Sequence, residues 1–257
     1  TNVVTGRLSC SDPNFQNIPR GDKLPIKRVI QSRFDNGEII EMDFAQLEFR
    51  VAAFLSQDSQ AIQDILEGVD VHQNTANVIG CDRQTAKAHT FKPLYGGMSG
   101  TDEEKKYYSY FRKRYKGITL WQEQTEDTAI STSFVTLPSG RQYYFEGIKR
   151  ASWGGSNFYT QVRNYPVQGF ATGDIVPVAC IDIYKSMKNM RTRLINTVHD
   201  SIIIDAHPEE VDSVLNKLKK ACDGITQSIN KRYNIDFNVP LDYEIKKGHN
   251  WLDLKRI

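Results

Sequence analysis

The sequence predicts an α+β fold, in which an antiparallel sheet packs against helices and a helical subdomain is inserted between its strands. Apolar, β-prone runs lie at 38–44 and 194–205, on either side of a long stretch, 60–130, with helix-like apolar spacing. Strands and helices do not alternate regularly along the chain. This order argues against a doubly wound parallel sheet.

The first part of the chain predicts an extended segment, a strand and a helix. Residues 1–37 are rich in Pro, Asn, Asp and Gly, a composition typical of turns. The run 38–44 predicts a buried strand with Asp43 near its end. Helical spacing follows in four apolar residues, Leu47, Val51, Phe54 and Leu55.

The second part predicts two hairpins and two helices. Residues 134–144 are aromatic and β-branched around a Pro-Ser-Gly turn, and 194–205 has two β-prone runs with His199 and Asp200 at the tip. Residues 167–188 suit a helix. The clearest helical stripe, opened by a Pro-Glu-Glu turn, comprises Val211, Val214, Leu215, Leu218, Cys222, Ile225 and Ile229.

Composition assigns the chain to the ordinary globular class. Its 257 residues suffice for one large domain or two small, closely packed ones. With 39% hydrophobic and 25% charged residues, a disordered or fibrous chain is excluded. The 33 basic and 31 acidic residues leave a net charge of +2, so overall charge indicates neither a nucleic-acid nor a membrane partner.

The cysteines and the apolar runs bear on localisation. Cys10, Cys81, Cys180 and Cys222 are widely spread and fit neither a zinc site nor a disulfide framework. We therefore expect an intracellular protein, in the cytoplasm of a bacterium or of a virus-infected host cell, or in an organelle. No apolar run approaches the roughly 18 residues that span a bilayer, and no secretory signal pattern is present, so no membrane partner is expected.

Two aspartates are predicted at strand ends beside apolar neighbours. A carboxylate next to a buried strand, such as Asp43 or Asp200, needs a compensating charge, and hard oxygen ligands suit Mg²⁺. Two such ions about 3.5–4 Å apart can activate both the nucleophile and the leaving group of phosphoryl transfer. On spacing alone, the commoner role of such residues is to cap a helix or close a turn.

A second candidate site is a basic and aromatic helix face. Its four members recur every four residues: Arg83, Lys87, Phe91 and Tyr95. On a helix they share one slowly rotating face, whose cations can hold a triphosphate while its rings meet a sugar and a base. By pattern alone, a solvated basic face running into a packed aromatic face is commoner. Pro93 is expected to kink this helix.

A third stretch, 105–116, interleaves Lys and Arg with aromatic residues. Such a composition can track a nucleic-acid strand by charge and stacking. The simpler interpretation, which we favour, packs the aromatic rings inward and leaves the cations solvated. No functional prediction is built on this stretch.

Taken in order, six segments resemble the polymerase region of family A DNA polymerases, the bacterial polymerase I type. They are TGRLSCSDPNFQNIP at 5–19, DFAQLEFR at 43–50, RQTAKAHTFKPLYGG at 83–97, YPVQG at 165–169, VHDSI at 198–202 and PLDYEIKKGHNWLDLK at 240–255. Each alone is modest evidence, but their order over nearly the whole chain is specific. The resemblance implies a DNA-directed DNA polymerase that joins a deoxynucleoside triphosphate to a primer 3′-hydroxyl.

The resemblance assigns catalytic roles to Asp43, Asp200 and Lys87. Asp43 and Asp200 would bind two Mg²⁺ ions, with the backbone carbonyl of Phe44 as a further ligand. Arg83 and Lys87 would grip the incoming triphosphate. Lys87 would also act as general acid toward the departing pyrophosphate.

The resemblance also assigns residues to the substrate and to DNA. Phe91 would pack on the deoxyribose and Tyr95 would lie near the templating base. Glu48 would crowd the position of a 2′-hydroxyl, and Gln46 would belong to the same substrate site. Four residues would contact the primer terminus or the minor groove, reading shape rather than sequence: Arg7, Asn164, Gln168 and His199.

The chain departs from the family pattern in three places. Ser201 stands where the family usually has Glu, so we expect reduced or altered metal affinity without loss of activity. Lys92 and Pro93 follow the helix Phe where the family commonly has Gly, which makes the role of Tyr95 less secure. The segment after Met98 is shorter than in the bacterial pattern, which hints at a phage-like branch.

The resemblance divides the chain into palm and fingers. The palm, with its antiparallel sheet, would comprise 1–60 and 131–257, and the helical fingers insertion would comprise 61–130. Expected partners are primer-template DNA and deoxynucleoside triphosphates. A thumb and exonuclease region is expected on an N-terminal segment or on a separate chain.

Two other functions remain as alternatives. A catalytically silent nucleic-acid-binding subunit of a replication assembly would keep the fold, but the intact Asp43, Lys87 and Asp200 argue against it. A single-subunit RNA polymerase would share the aspartates and the basic and aromatic helix face. Glu48 disfavours that alternative.

Overall fold

The apolar run 38–44 forms the central strand of a five-stranded antiparallel sheet. The strands are β1 (Glu38–Phe44), β2 (Phe134–Thr136), β3 (Gln142–Tyr144), β4 (Arg193–Val198), β5 (Ser201–Ala206), β6 (Tyr243–Gly248) and β7 (Lys255–Arg256). The large sheet has the order β4-β5-β1-β6-β7, and β2 pairs with β3 in a separate hairpin. Ile39, Ile40 and Met42 of β1 are completely buried, as expected for a core strand.

The computed structural model describes residues 3–19 and 24–257, without the side chains of Lys87 and Ala88. The chain divides into two compact units. The first is built from 1–47, 171–236 and 241–257, and the second from 48–170 with 237–240. The second unit therefore begins and ends outside the predicted fingers insertion, 61–130.

Ten α-helices occur in the described part of the chain. They are α1 (Leu47–Ser56), α2 (Ser59–Leu66), α3 (Val71–Ile79), α4 (Arg83–Leu94), α5 (Asp102–Arg114), α6 (Lys116–Thr132), α7 (Tyr159–Gln168), α8 (Val176–Ser186), α9 (Val211–Asp223) and α10 (Ile225–Tyr233). A π-helical segment, Gly169–Ile175, joins α7 to α8. None of these helices is long and apolar enough to cross a membrane.

Side-chain caps set the starts of several helices. The carboxylates of Asp58, Asp70 and Asp82 accept backbone N–H groups at the starts of α2, α3 and α4. Thr101 and Glu104 form a reciprocal capping box at the start of α5. These caps satisfy donors that the helix itself leaves unpaired.

The first unit packs its core around the large sheet. Ile39, Val198, Ile203 and Trp251 form one buried apolar cluster. The predicted C-terminal stripe is buried except for the half-buried Leu215, and it belongs to two helices, because Gly224 separates α9 from α10. Together with the antiparallel order of the strands, this packing confirms the predicted α+β fold.

The second unit is largely helical. Four of the five aromatic residues of the stretch 105–116 are buried, as the simpler interpretation predicts: Tyr107, Tyr108, Phe111 and Tyr115. The fifth, Tyr110, is half-buried. Two cations of α5 are paired within the unit, Arg112 with Glu123 and Arg114 with the buried Asp64. The rings of Tyr107, Tyr108 and Phe111 are therefore unavailable for stacking on bases.

Two predicted helices differ in detail. The helix expected at 167–188 starts earlier, as α7, and continues through the π-helical segment into α8, which ends at Ser186. Pro93 lies in the last turn of α4, so the helix runs to Leu94. Pro93 has no backbone N–H to donate, so the hydrogen bond that it removes belongs to the final turn, and the helix ends one residue later.

Candidate active site

The β4–β5 hairpin brings Asp200 to the end of β1 that carries Asp43. In the register of β1 and β5, Asp43 faces Ser201, the residue next to Asp200. The amide N–H of Phe44 donates to the backbone carbonyl of Asp200 over 3.3 Å. The two aspartates, remote in sequence, therefore lie at the same end of adjacent strands, and both are half-buried.

A tight turn holds Asp200 in this position. β4 ends at Val198 and β5 begins at Ser201, so only His199 and Asp200 connect them. His199 adopts a left-handed conformation with φ of 58°, which a two-residue hairpin turn requires. Its side chain is exposed at the tip. The sequence prediction of a polar pair at the hairpin tip is confirmed.

The cross-strand neighbours of Asp43 are Ser201, which contributes a hydroxyl, and Glu244, whose carboxylate forms ion pairs with other residues. The Ser201 Oγ–H donates to Asp43 Oδ1 over 2.9 Å. On the other side of β1, Asp43 faces Glu244 of β6, which pairs with Arg256 at 3.0 Å and Lys246 at 3.6 Å. Among the described side chains, no Lys, Arg or His forms an ion pair with Asp43.

This donor set is suited to a hard cation. Asp43 and Asp200 offer carboxylate oxygens at one sheet end, and the Phe44 backbone lies beside both. Oxygen donors of this kind are those that Mg²⁺ prefers. The described residues contain no group of three or more His, Cys, Asp or Glu arranged to hold a metal.

The segment 5–19, the first of the six sequence motifs, is hydrogen bonded to the β4–β5 hairpin. Gln16 Nε2 donates to the carbonyl of Thr197 in β4 over 2.8 Å. A cavity of about 280 Å³ lies next to His199 in the same unit. Its lining residues are Gln16, Asn17, Ile18, Lys27, Val198, His199 and Trp251.

In the second unit, α4 presents the predicted basic and aromatic face. Arg83 is exposed, and its Nε–H donates to Asp70 Oδ2 over 2.6 Å. The rings of Phe91 and Tyr95 are stacked, with centroids 6.4 Å apart and planes within 13°. Lys87 lies between Arg83 and Phe91 on α4, but its side chain is outside the described part of the structure.

Tyr95 connects two residues that the sequence assigned separately. Its hydroxyl donates to the carboxylate of Glu48, and it also hydrogen bonds with Gln168. Burial, followed by the negative charge of Glu48, raises the pKa of Tyr95 well above its usual value. The phenol therefore stays protonated and remains a donor to Glu48 at neutral pH.

The other predicted site residues fall in one unit or the other. Arg7 and Gln46 are half-buried in the first unit, which also contains His199. Asn164 is half-buried on α7 in the second unit.

Sequence reasoning missed two residues near α4. Asp70 caps α3 through Oδ1 and receives Arg83 through Oδ2. His72 lies against Phe91, with ring centroids 5.5 Å apart. The only sequence signal was an Asp at a helix start, which predicts the cap but not its second partner.

The comparison with known families decides the affiliation of the chain. Residues 1–253 match DNA polymerase family A. The chain belongs to DNA polymerase family A. The resemblance drawn from the six sequence segments is thereby confirmed.

Individual relatives agree with this affiliation. DNA polymerase I of Caldicellulosiruptor bescii is 30% identical over 99% of this chain and 31% of its own length. The thermostable DNA polymerase I of Thermus aquaticus is 28% identical over 99% of this chain and 32% of its own length. This family A chain therefore spans about a third of the length of these relatives.

A solved polymerase-domain structure shares the fold. The POL domain of Pol1 from M. smegmatis, solved in complex with DNA primer-template and dNTP, superposes with a TM-score of 0.79. The match covers 98% of this chain and 47% of the other, at 23% sequence identity. At this identity the likeness establishes a common fold.

Proposed function

We propose that this family A chain carries out template-directed DNA synthesis. It would join the 3′-hydroxyl of a primer to the α-phosphate of a deoxynucleoside triphosphate, with release of pyrophosphate. The observation that carries the proposal is the convergence of Asp43 and Asp200 at one end of β1 and β5. Relatives named DNA polymerase I support it, as does a structural neighbour bound to primer-template and dNTP.

Asp43 and Asp200, with the backbone carbonyl of Phe44, would hold two Mg²⁺ ions. Bound there, such ions favour deprotonation of the attacking hydroxyl and offset negative charge on the phosphates. The backbone would keep this cation site at a fixed end of the sheet, because Asp43 lies in the β1–β5 register and the Asp200 carbonyl accepts the Phe44 N–H. The Ser201 hydroxyl adds a neutral donor where a third carboxylate is usual in the family.

The basic end of α4 would bind the triphosphate. Arg83 is exposed, and Asp70 engages its Nε–H, which orients the planar guanidinium and leaves its terminal nitrogens for phosphate oxygens. Lys87 is one turn further along α4 and would donate a proton to the departing pyrophosphate.

The aromatic end of α4 would bind the nucleoside. Phe91 would pack on the deoxyribose and Tyr95 would lie near the templating base, in keeping with their stacked rings. Glu48, held by the Tyr95 hydroxyl, would exclude a 2′-hydroxyl, and Gln46 would complete the substrate site. Four residues would contact the primer terminus or the minor groove: Arg7, Asn164, Gln168 and His199.

We propose the same domain roles as the sequence predicts. The palm would comprise 1–60 and 131–257 and the fingers 61–130. Because the match covers about a third of the relatives' length, a thumb and exonuclease region would come from an N-terminal segment or a separate chain. Intact-mass measurement and a search for a co-purifying polypeptide test this. Full processive synthesis by a lone 29.4 kDa species would refute it.

Primer extension by aspartate variants tests the function. Asp43→Ala and Asp200→Ala should abolish extension, whereas Asp212→Ala, a change at an exposed aspartate of α9, should not. Circular dichroism and thermal unfolding establish that the variants are folded. Extension at the normal rate by both Asp43→Ala and Asp200→Ala would refute the mechanism.

Two further readouts separate the alternative functions. Binding of primer-template by the unmodified protein without extension, under several divalent metals, would indicate a silent binding subunit. Preferential incorporation of ribonucleotides would indicate an RNA polymerase. On our proposal, deoxynucleotides are preferred, and Glu48→Ala weakens that preference.

A further inference from the structure

The hydroxyl of Ser201 makes a hydrogen bond to Asp43 that places it in the cation site. Ser201 is 2% exposed, and its Oγ lies 2.9 Å from Asp43 Oδ1. The pair face each other directly in the β1–β5 register, so the backbone ladder holds both residues in place. A buried hydroxyl normally makes a hydrogen bond, since leaving it unpaired is costly. Here the partner is a carboxylate that we propose as a metal ligand.

The other cross-strand neighbour of Asp43 does not take this role. Glu244 faces Asp43 from β6, but its carboxylate pairs with Lys246 and Arg256. Its charge is thereby engaged away from Asp43. Across β1, Ser201 is therefore the cross-strand neighbour that contacts the Asp43 carboxylate directly.

We propose that Ser201 is a positioning residue that fixes the rotamer of the Asp43 carboxylate for a divalent cation. The inference rests on the proposed function, because it takes Asp43 as a ligand. Hydrogen bonds to ligating carboxylates orient them, and their loss typically costs about 10–100-fold in metal affinity or activity. The hydroxyl adds no charge, so it orients Asp43 without contributing a third anion.

The same sheet offers a matched control. At the other end of β5, the Ser32 Oγ–H donates to Asp205 Oδ1 over 2.6 Å. Asp205 is 4% exposed and also receives Arg33 Nε at 2.7 Å. Ser32→Ala therefore removes the same hydrogen bond, from a serine hydroxyl to a strand-borne aspartate, at a place where we propose no metal ion; it also removes the acceptor of the Phe34 N–H.

The test compares Ser201→Ala, Ser201→Thr and Ser32→Ala with the unmodified protein. Mn²⁺ binding is measured by the loss of the free-ion electron paramagnetic resonance signal, with primer-template present. We expect Ser201→Ala to weaken Mn²⁺ binding about tenfold or more. Ser201→Thr keeps a hydroxyl and should restore binding, and Ser32→Ala should leave it unchanged. The Mg²⁺ concentration for half-maximal extension should rise in parallel for Ser201→Ala.

The outcomes separate this inference from the proposed function. Unchanged Mn²⁺ binding in a folded Ser201→Ala protein would overturn the inference even if extension is normal. Equal losses in Ser201→Ala and Ser32→Ala would also overturn it, because the effect would then be general to the sheet. A protein that binds Mn²⁺ in the expected order but extends no primer would refute DNA synthesis and leave the positioning role intact.

Discussion

The carboxylates at the two ends of strand β5 differ in their burial and in their partners. At one end Asp205 is almost completely buried and is closed by the Ser32 hydroxyl and the Arg33 guanidinium. At the other end, the Ser201 hydroxyl donates to Asp43, a half-buried residue of the adjacent strand β1. No cationic side chain among those described pairs with it.

The difference separates a structural carboxylate, Asp205, from the carboxylate that we propose as a metal ligand, Asp43. A buried charge is stable when an opposite charge and hydrogen bonds compensate it. Asp205 has both within the chain, as does Asp64 with Arg114 and Tyr115. Asp43 has the hydrogen bond, but no cationic side chain among the described residues pairs with it. Our proposal assigns the compensating charge to a metal ion.

The largest expected effect is that one substitution lowers activity and the other lowers stability, at the two ends of β5. Asp43→Asn should lower primer extension at least about a thousandfold, because it removes a charge that acts on the reacting groups. Its free energy of unfolding should change little. Asp205→Asn should do the reverse, with lower stability in urea unfolding and normal extension once folded. A large activity loss in Asp205→Asn at full folding would break the comparison.

A second buried, paired carboxylate, Glu126, tests whether such residues contribute mainly to stability. Glu126 and Arg163 form an ion pair in the second unit with side chains 6% and 5% exposed. Glu126→Gln should lower the free energy of unfolding by about 3–5 kcal/mol, because it leaves the guanidinium buried without its partner. The next residue, Asp127, pairs with Arg150 in solvent. Asp127→Asn should cost less than about 1 kcal/mol, and similar losses in both variants would contradict this account.

A third variant tests Asp70, the carboxylate that pairs with Arg83, which we propose binds the triphosphate. Asp70→Asn keeps a side chain that caps α3 well but weakens the acceptor for Arg83. We expect the KM for the nucleotide to rise about tenfold with little change in kcat, since Arg83 loses a charged hydrogen bond that orients it. Asp82→Asn, at the cap of α4, is the matched control. A lower KM in Asp70→Asn would show that Asp70 competes with the triphosphate instead.

The smallest expected effect concerns pH. Glu210 accepts the amide N–H groups of Arg191 and Thr192 and the Thr192 hydroxyl, at 2.7–3.0 Å. Burial opposes ionisation, but these hydrogen bonds outweigh it and lower the pKa of Glu210 from 4.5 to about 2. The carboxylate therefore stabilises the fold above about pH 4.5, and this contribution is lost as the pH falls toward 2.

Glu210→Gln tests that assignment. Stability at pH 7 should fall by about 1 kcal/mol, and the loss of stability between pH 5 and 2 should become shallower. The measurement is urea unfolding across that pH range. An unchanged acid slope would contradict the role of Glu210.

Much of the fold followed from local patterns. β1 and the β4–β5 hairpin were predicted because their runs are apolar and β-branched. The strand β6 (Tyr243–Gly248) was not, because the alternation of Tyr243 and Ile245 with Glu244 and Lys246 is short and runs into two further polar positions, Lys247 and Gly248. The π-helical segment was missed because helical periodicity does not distinguish it from an α-helix.

The candidate site was predictable residue by residue but not as a set of contacts. The strand ends placed Asp43 and Asp200, and the four-residue spacing placed Arg83 and Phe91. The contact of Ser201 with Asp43 depends on a one-residue choice of register, which sequence patterns do not fix. The Tyr95 to Glu48 hydrogen bond joins two helices and follows only from tertiary packing.

Cation binding at the two ends of β5 tests the central claim most directly. Mn²⁺ is titrated into the protein with primer-template, a chain-terminated primer and the next nucleotide, for the unmodified protein, Asp43→Asn, Asp200→Asn and Asp205→Asn. The account predicts binding by the unmodified protein and Asp205→Asn, and its loss in both Asp43→Asn and Asp200→Asn. Retained Mn²⁺ binding in folded Asp43→Asn and Asp200→Asn would contradict it.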